Sequence, residues 1–256
     1  MDRSFLSQSQ VVATSREFVC VRLATYEDPV EAKFTRALVR TGSGELENTA
    51  FCLLGPDGKK KLSRSGRGTE HLYADAAAMA ADMKRVAGGF TPKAAPTSLP
   101  LVANPRLALD VAAADGLPLV VAVGKDAATR QRIVDRLAKL AWSDEFIGRF
   151  TYAEGAAKEV IGVPGVAVDA GVVVIAPDKF GQKGTVLREV GAEEPADKIA
   201  AALKAAAAEY KAPATTFQTH VREGHKLGVF WETKVPVTDP MENAARERGK
   251  RSAPKE

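Results

Sequence analysis

The chain has 256 residues, of which 45% are hydrophobic and 27% are charged, and its formal net charge at neutral pH is +4. This composition is ordinary for a soluble globular protein and excludes the collagen-like, disulfide-rich and highly charged disordered classes. No apolar run reaches the roughly 18 residues that a membrane span needs. The positive and negative charges are interspersed, which indicates a solvated surface, and we expect no nucleic-acid partner.

The first ninety residues are predicted to form an α/β unit. Residues 18–24 are rich in apolar and β-branched side chains, which is typical of a buried strand. Asp28 can cap a helix that begins at Pro29, because its carboxylate can accept bonds from free amides and proline suits the first helical position. The other predicted elements are a helix over 3–17, a strand over 49–55, a hairpin turn at Pro56-Asp57-Gly58 and a helix over 74–87.

A proline-rich segment over residues 91–103 predicts a semi-rigid linker to a second unit, residues 104–212. The second unit is predicted to contain helices at 104–115, 127–142 and 195–210 and strands at 117–124, 147–153, 171–176 and 184–190. Over residues 213–256 we expect a tail that docks on a domain through Phe217, Phe230 and Trp231. Beyond Pro240 apolar residues are few, and we expect disorder there.

A faint internal repeat relates the two units. Residues 51–68 and 172–191 each contain an apolar strand, a Pro-Asp turn, a second strand and a glycine before an alanine-rich helix. The order strand, helix, strand, helix, strand, turn, strand, helix resembles the thioredoxin fold, and residues 1–90 resemble it from the first helix onward. The resemblance implies an α/β fold with two thioredoxin-like α/β/α units joined by the linker, the first lacking its initial strand.

The chain departs from that family where thioredoxins keep their chemistry. The family carries a CxxC motif between its first strand and first helix, where the helix N-terminus lowers the thiol pKa. In the second unit this position falls at residues 124–129, which contain no sulfur, and in the first unit it would precede Met1. The cis-proline that the family places before its third strand is also missing, since Asn48-Thr49 and Asp169-Ala170 stand there.

The cysteines and histidines form no recognisable motif. Cys20 and Cys52 lie in apolar runs and are expected to be buried, inert thiols. The alternative is a redox pair between neighbouring strands, which needs Cα atoms within about 7 Å. We expect the three histidines, His71, His220 and His225, to be surface residues, because a metal site needs three or four convergent ligands. Glu223 lies between the last two.

Three other segments also receive structural interpretations. The basic cluster of Lys59, Lys60, Lys61, Arg64 and Arg67 is expected to be a solvated edge, with a phosphate-binding patch as the alternative. The loop Gly162-Val163-Pro164-Gly165 lacks the GxGxxG and Walker patterns. Tyr26, Glu27 and Asp28 follow a strand end, where α/β sheets bind ligands, but helix capping already explains Asp28.

We therefore expect a redox-inactive thioredoxin-like protein that acts as a binding or assembly module, with no catalytic residue, cofactor or metal. A protein partner is expected, and a second copy of the chain, the second unit or the tail would cover the missing strand. The alternative is a thiol-disulfide oxidoreductase whose CxxC lies upstream of Met1, and a basic adaptor for nucleic acid or anionic lipid is a third class. As written the sequence has no signal peptide, which predicts a cytoplasmic protein, or an exported one if residues precede Met1.

Overall fold

A computed structural model describes residues 2–23, 25–26, 28–38, 50–91, 98–102, 104–160, 162–229, 234–236, 243–244 and 247–248. Its contacts divide the chain into two compact units, Met1–Lys93 with His225–Glu256, and Ala94–Gly224. Several predicted features lie outside the described residues: Glu27, Asn48-Thr49, Pro92 to Thr97 of the linker, Phe230, Trp231 and most of the segment beyond Pro240.

The second unit is built on a five-stranded mixed sheet in the order β1-β3-β2-β4-β5. The strands are β1 (Leu101–Val102), β2 (Leu119–Val123), β3 (Thr151–Gly155), β4 (Gly171–Pro177) and β5 (Gly184–Gly191). β3 is parallel to both β1 and β2, whereas β4 is antiparallel to β2 and β5 is antiparallel to β4. The predicted α/β class is confirmed.

Helices cover both faces of this sheet because its two central strands are apolar on both sides. Val120 and Val174 face one cluster of buried residues, and Val121 and Val173 face another. The first cluster also holds residues of α5 (Ala127–Ala141) and α6 (Ala196–Glu209), and the second holds residues of α4 (Pro105–Asp115). A further helix, α7 (Phe217–Lys226), follows α6. The sheet is therefore the middle layer of an α/β/α sandwich.

The predicted helices and strands of the second unit agree with the structure to within a few residues at each end, except at β3. The strand predicted over 147–153 lies at 151–155, and residues 144–149 form turns. Phe146 and Phe150 are nevertheless buried in the core. Both side chains are apolar because they are buried in the core, although neither residue belongs to a strand. An apolar sequence alone does not distinguish these two cases, so the predicted strand begins too early.

The first unit contains α1 (Ser9–Ser15), α2 (Pro29–Leu38) and α3 (Ala76–Ala87). The long helix predicted over 3–17 is split, because a π-helical turn, Asp2–Leu6, precedes α1. The predicted cap of α2 is confirmed, since the Asp28 carboxylate accepts bonds from the amides of Val30 at 2.7 Å and Glu31 at 3.0 Å.

The strand predicted over 18–24 is wrong. Residues 18–23 have no strand structure, and the side chains of Val19 and Val21 are 73% and 71% exposed. A β-branched run becomes a strand only where a partner supplies hydrogen bonds and a surface to pack on. In the described part of this unit the only bridges, Phe51 with Gly66 and Leu54 with Lys61, belong to the hairpin over residues 50–67.

The turn predicted for that hairpin is confirmed. Gly58 has a φ of +66°, which glycine adopts without strain. The Asp57 carboxylate accepts bonds from the amides of Lys59 at 2.9 Å and Lys60 at 3.0 Å. The hairpin packs on α1 and α3 through a small core that contains Val11, Leu53, Met79, Ala80, Met83 and Val86.

Candidate functional site

The candidate site lies where β2 ends and α5 begins. The amide of Gly124 donates to the carbonyl of Gly155 at 3.1 Å, so the carboxyl ends of the parallel strands β2 and β3 lie side by side. Open α/β sheets bind ligands at this edge. We call residues 124–130, with Glu154 of β3, the β2–α5 corner.

The helix end at this corner is satisfied by its own side chain. Asp126 is the N-cap of α5, and its carboxylate accepts bonds from the Thr129 amide at 2.7 Å and the Thr129 hydroxyl at 3.0 Å. These bonds hold the pKa of Asp126 below its ordinary value. The carboxylate thus occupies the Thr129 amide, and its negative charge disfavours a thiolate or another anion at the start of α5.

Arg130 closes the other side of the corner. Its Nη1 donates to the carbonyl of Gly124 at 3.1 Å, and its Nε lies 3.6 Å from a carboxylate oxygen of Glu154. A Cβ on residue 124 would lie 3.0 Å from the Arg130 Cγ, a tight contact that would require the arginine to shift by a few tenths of an ångström. The guanidinium is thereby held between the ends of β2 and β3.

One ion pair joins the corner to the segment before β4. The Lys125 Nζ lies 3.1 Å from the Asp169 carboxylate, with the side chains 77% and 81% exposed. An exposed pair of this kind contributes little to stability, so both groups remain accessible to solvent or to a partner. The corner therefore offers Lys125, Asp169 and Glu154 as polar groups, and residues 124–130 contain neither a thiol nor an imidazole.

The two cysteines are elsewhere, in the first unit, and both are free. The prediction that Cys20 is buried is wrong: it is exposed, because residues 18–23 do not form the expected strand. Cys52 is half-buried, and burial raises the pKa of its thiol, with nearby Lys61 acting in the opposite direction. A raised pKa keeps Cys52 a thiol at neutral pH, the less reactive form.

The histidines are dispersed. His71 is exposed beside Glu70, and the His220 ring contacts the Phe180 ring in a tilted arrangement with 4.8 Å between ring centroids. Glu223 pairs with Lys179 at 2.5 Å. Within the described ranges, no three His, Cys, Asp or Glu side chains are placed to hold a metal ion. In the same ranges, no helix has both the length and the apolar character that crossing a membrane requires.

Two other predicted segments have structural roles. Tyr26 packs beside Ala32 and Val235, and its carbonyl accepts a bond from the Val235 amide at 2.9 Å. In the loop after β3, Val163 is buried in the core, and the carbonyl of Gly162 accepts a bond from the Gly184 amide at 3.1 Å. Both segments are thus explained by packing and backbone pairing.

Sequence reasoning missed one network in the second unit. Arg106 of α4 donates hydrogen bonds to Asp110 in the same helix and to the carbonyl of Gly181 in the turn between β4 and β5. The spacing of Arg106 and Asp110, one helical turn, is a signal for their pairing. The contact with Gly181 has no local signal, because the partner lies in a distant part of the chain.

Comparisons of this chain with protein families, with curated proteins and with solved structures found no match in any of the three.

Proposed function

We propose that the second unit is a thioredoxin-like domain and that the protein is a redox-inactive binding or assembly module. Two observations support the fold assignment. The β2–α5–β3 crossover is followed by an antiparallel β4–β5 hairpin and then by α6, which is the element order of the resemblance except that the short 3-10 turn Ala157–Glu159 stands where its second helix would be. Helices also lie on both faces of the sheet.

The observation that carries the functional proposal is the Asp126 cap. Thioredoxins place their thiol pair at the start of this helix, where the free amides lower the thiol pKa. Here the Asp126 carboxylate accepts the bond from the Thr129 amide and places a negative charge at the start of the helix, and residues 124–129 contain no sulfur. The corner can therefore contact a partner through Lys125 and Asp169, whereas thiol exchange has no sulfur nucleophile there.

The first test is insulin reduction by the full chain in the presence of a small dithiol. We expect no acceleration over the dithiol alone. Acceleration that disappears in a Cys20→Ser or Cys52→Ser variant would contradict the redox-inactive proposal.

The second test restores the missing chemistry. The side chains of Asp126 and Thr129 touch at 3.0 Å and have the spacing of a CxxC motif. In a background without Cys20 and Cys52, we expect Asp126→Cys with Thr129→Cys to form a disulfide and to gain insulin reductase activity. The matched control is Asn104→Cys with Leu107→Cys, which has the same spacing at the cap of α4. Equal activity in both variants would contradict a special role for the corner.

Assembly is tested by sedimentation velocity over a range of concentrations. We expect Lys125→Glu and Asp169→Lys each to weaken the association of two copies of the chain, and unchanged association in both variants would contradict a binding role for the corner. The upstream-CxxC alternative is decided by the in-frame codons before Met1, where an apolar strand followed by CxxC would favour the oxidoreductase.

A further inference from the structure

Basic side chains are concentrated on the hairpin of the first unit, residues 50–67, which we call the basic hairpin. It carries Lys59, Lys60, Lys61, Arg64 and Arg67 but only one carboxylate, that of Asp57. This short stretch therefore holds a net charge of +4, as large as that of the whole chain. The rest of the chain has a net charge of zero, so the hairpin accounts for the whole excess of positive charge.

Three of these cations are available to a ligand. In the part of the chain that the structure describes, Lys59, Lys60 and Arg64 form no ion pair and no side-chain hydrogen bond. Lys61 differs, because its ammonium group donates to the carbonyl of Leu38 and to the Ser65 hydroxyl. Lys61 thus supports the hairpin, while the other three extend their charges into solvent.

An exposed aromatic side chain lies beside one of these cations, Lys60. Phe90, just after α3, is 42% exposed. It lines a surface cleft of about 410 Å³ with Gly55, Pro56, Asp57 and Lys60 of the hairpin. An aromatic face and an unpaired ammonium group therefore border the same concave surface.

We propose that the basic hairpin and Phe90 form a binding surface for single-stranded nucleic acid. A base would stack on the ring of Phe90, and the phosphates on either side would contact Lys60, Lys59 and Arg64. A cationic track with an aromatic platform is the combination by which proteins hold single strands without reading their sequence. This inference is independent of the proposed function of the second unit.

Two observations favour single-stranded nucleic acid over a free phosphate or a membrane as the ligand of this surface. The Asp57 carboxylate already occupies the amides of Lys59 and Lys60, so the turn has no backbone cradle left for a free phosphate. Phe90 lines a cleft, whereas the tip of the hairpin is the polar pair Asp57-Gly58. An aromatic side chain that inserts into a membrane would instead have to stand at a protruding tip.

The test uses the full chain and a fluorescein-labelled oligothymidylate, with binding followed by fluorescence anisotropy at several salt concentrations. We expect salt-sensitive binding. The variant Lys59→Gln with Lys60→Gln should weaken it and reduce the slope of log affinity against log salt by about 1.4, or about 0.7 for each phosphate that is no longer neutralised. Phe90→Leu should weaken binding by about 5- to 150-fold without changing that slope.

The matched control is Lys139→Gln with Lys198→Gln, which removes the same charge from exposed positions on α5 and α6. It should bind like the unaltered chain. The proposal is overturned if the oligonucleotide does not bind, if the control weakens binding as much as the hairpin variant, or if Phe90→Leu has no effect. Stronger Phe90-dependent binding to phosphatidylserine vesicles than to the oligonucleotide would also overturn it and assign the surface to membranes.

Discussion

The guanidinium of Arg106 donates a hydrogen bond to the carbonyl of Gly181, 75 residues further along the chain. Gly181 has a φ of +68°, and a Cβ on it would lie only 2.6 Å from the Cα of Asp110. The turn between β4 and β5 is therefore packed directly against α4. Arg106 fixes this contact from one side, and its ion pair with Asp110 orients the guanidinium.

Replacing Arg106 should destabilise the second unit. We expect Arg106→Ala to lower the free energy of unfolding by about 1.5–3 kcal/mol, the range for hydrogen bonds that involve a charged group. Urea denaturation followed by far-UV circular dichroism measures the change. Arg132→Ala, at an exposed position of α5, is the control and should change stability by less than about 0.5 kcal/mol. Equal losses in the two variants would contradict the role given to Arg106.

Lys179, in the turn between β4 and β5, pairs with Glu223 of α7, and this contact should depend on pH. Lys179 lowers the pKa of Glu223, so the stabilisation is complete at neutral pH and is lost as the pH falls through that lowered pKa. Carboxyl carbon NMR titration should show Glu223 titrating below the ordinary glutamate range. In Lys179→Met we expect the pKa to return to that range, and an unchanged titration would refute the pairing.

Two tyrosines should respond in opposite ways to loss of the hydroxyl group. The Tyr152 hydroxyl is buried and has no hydrogen-bond partner among the described residues, whereas the Tyr73 hydroxyl donates to Asp82 at 3.0 Å. Tyr152→Phe should leave the free energy of unfolding unchanged or raise it by up to about 1 kcal/mol, because a buried unpaired hydroxyl is costly. Tyr73→Phe should lower it by about 1 kcal/mol. Urea denaturation of both variants checks the sign.

Burial should separate two valines that the sequence presents alike. Val121 in β2 is fully buried, while Val21 is 71% exposed. We expect Val121→Ala to lower the free energy of unfolding by about 2 kcal/mol or more, because apolar burial is lost and a cavity is left behind. Val21→Ala should cost less than about 0.5 kcal/mol. Thermal unfolding followed by circular dichroism compares them, and similar losses would restore the predicted strand over residues 18–24.

The same pair of valines explains how far the fold was predictable. Val121 and Val21 each lie in an apolar, β-branched run, and both runs predict a buried strand. Only β2 has neighbours, β3 on one side and β4 on the other, which supply hydrogen bonds and cover its side chains. A local sequence pattern indicates that a segment could form a strand, but it does not indicate whether a neighbouring strand is present to pair with it.

Of the candidate site, the sequence alone predicted only what is missing. The absence of sulfur from residues 124–129 is visible in the sequence. The bond from Arg130 to Gly124 and the pairing of Lys125 with Asp169 depend on how strands and loops meet in space. The basic cluster was visible too, but its position beside Phe90 was not, because the hairpin and the end of α3 approach only in the folded unit.

The order of the strands also constrains how the second unit forms during synthesis. Among the described strands, β1 pairs only with β3, and β2 lies between β3 and β4. The first two strands to leave the ribosome therefore have no partner until residues 151–155 emerge. The apolar segment Leu119–Val123 therefore stays unpaired while α5 and the following turns are synthesised. During that interval its apolar side chains are without the neighbours that bury them in the folded unit, the condition in which a nascent chain is prone to aggregate.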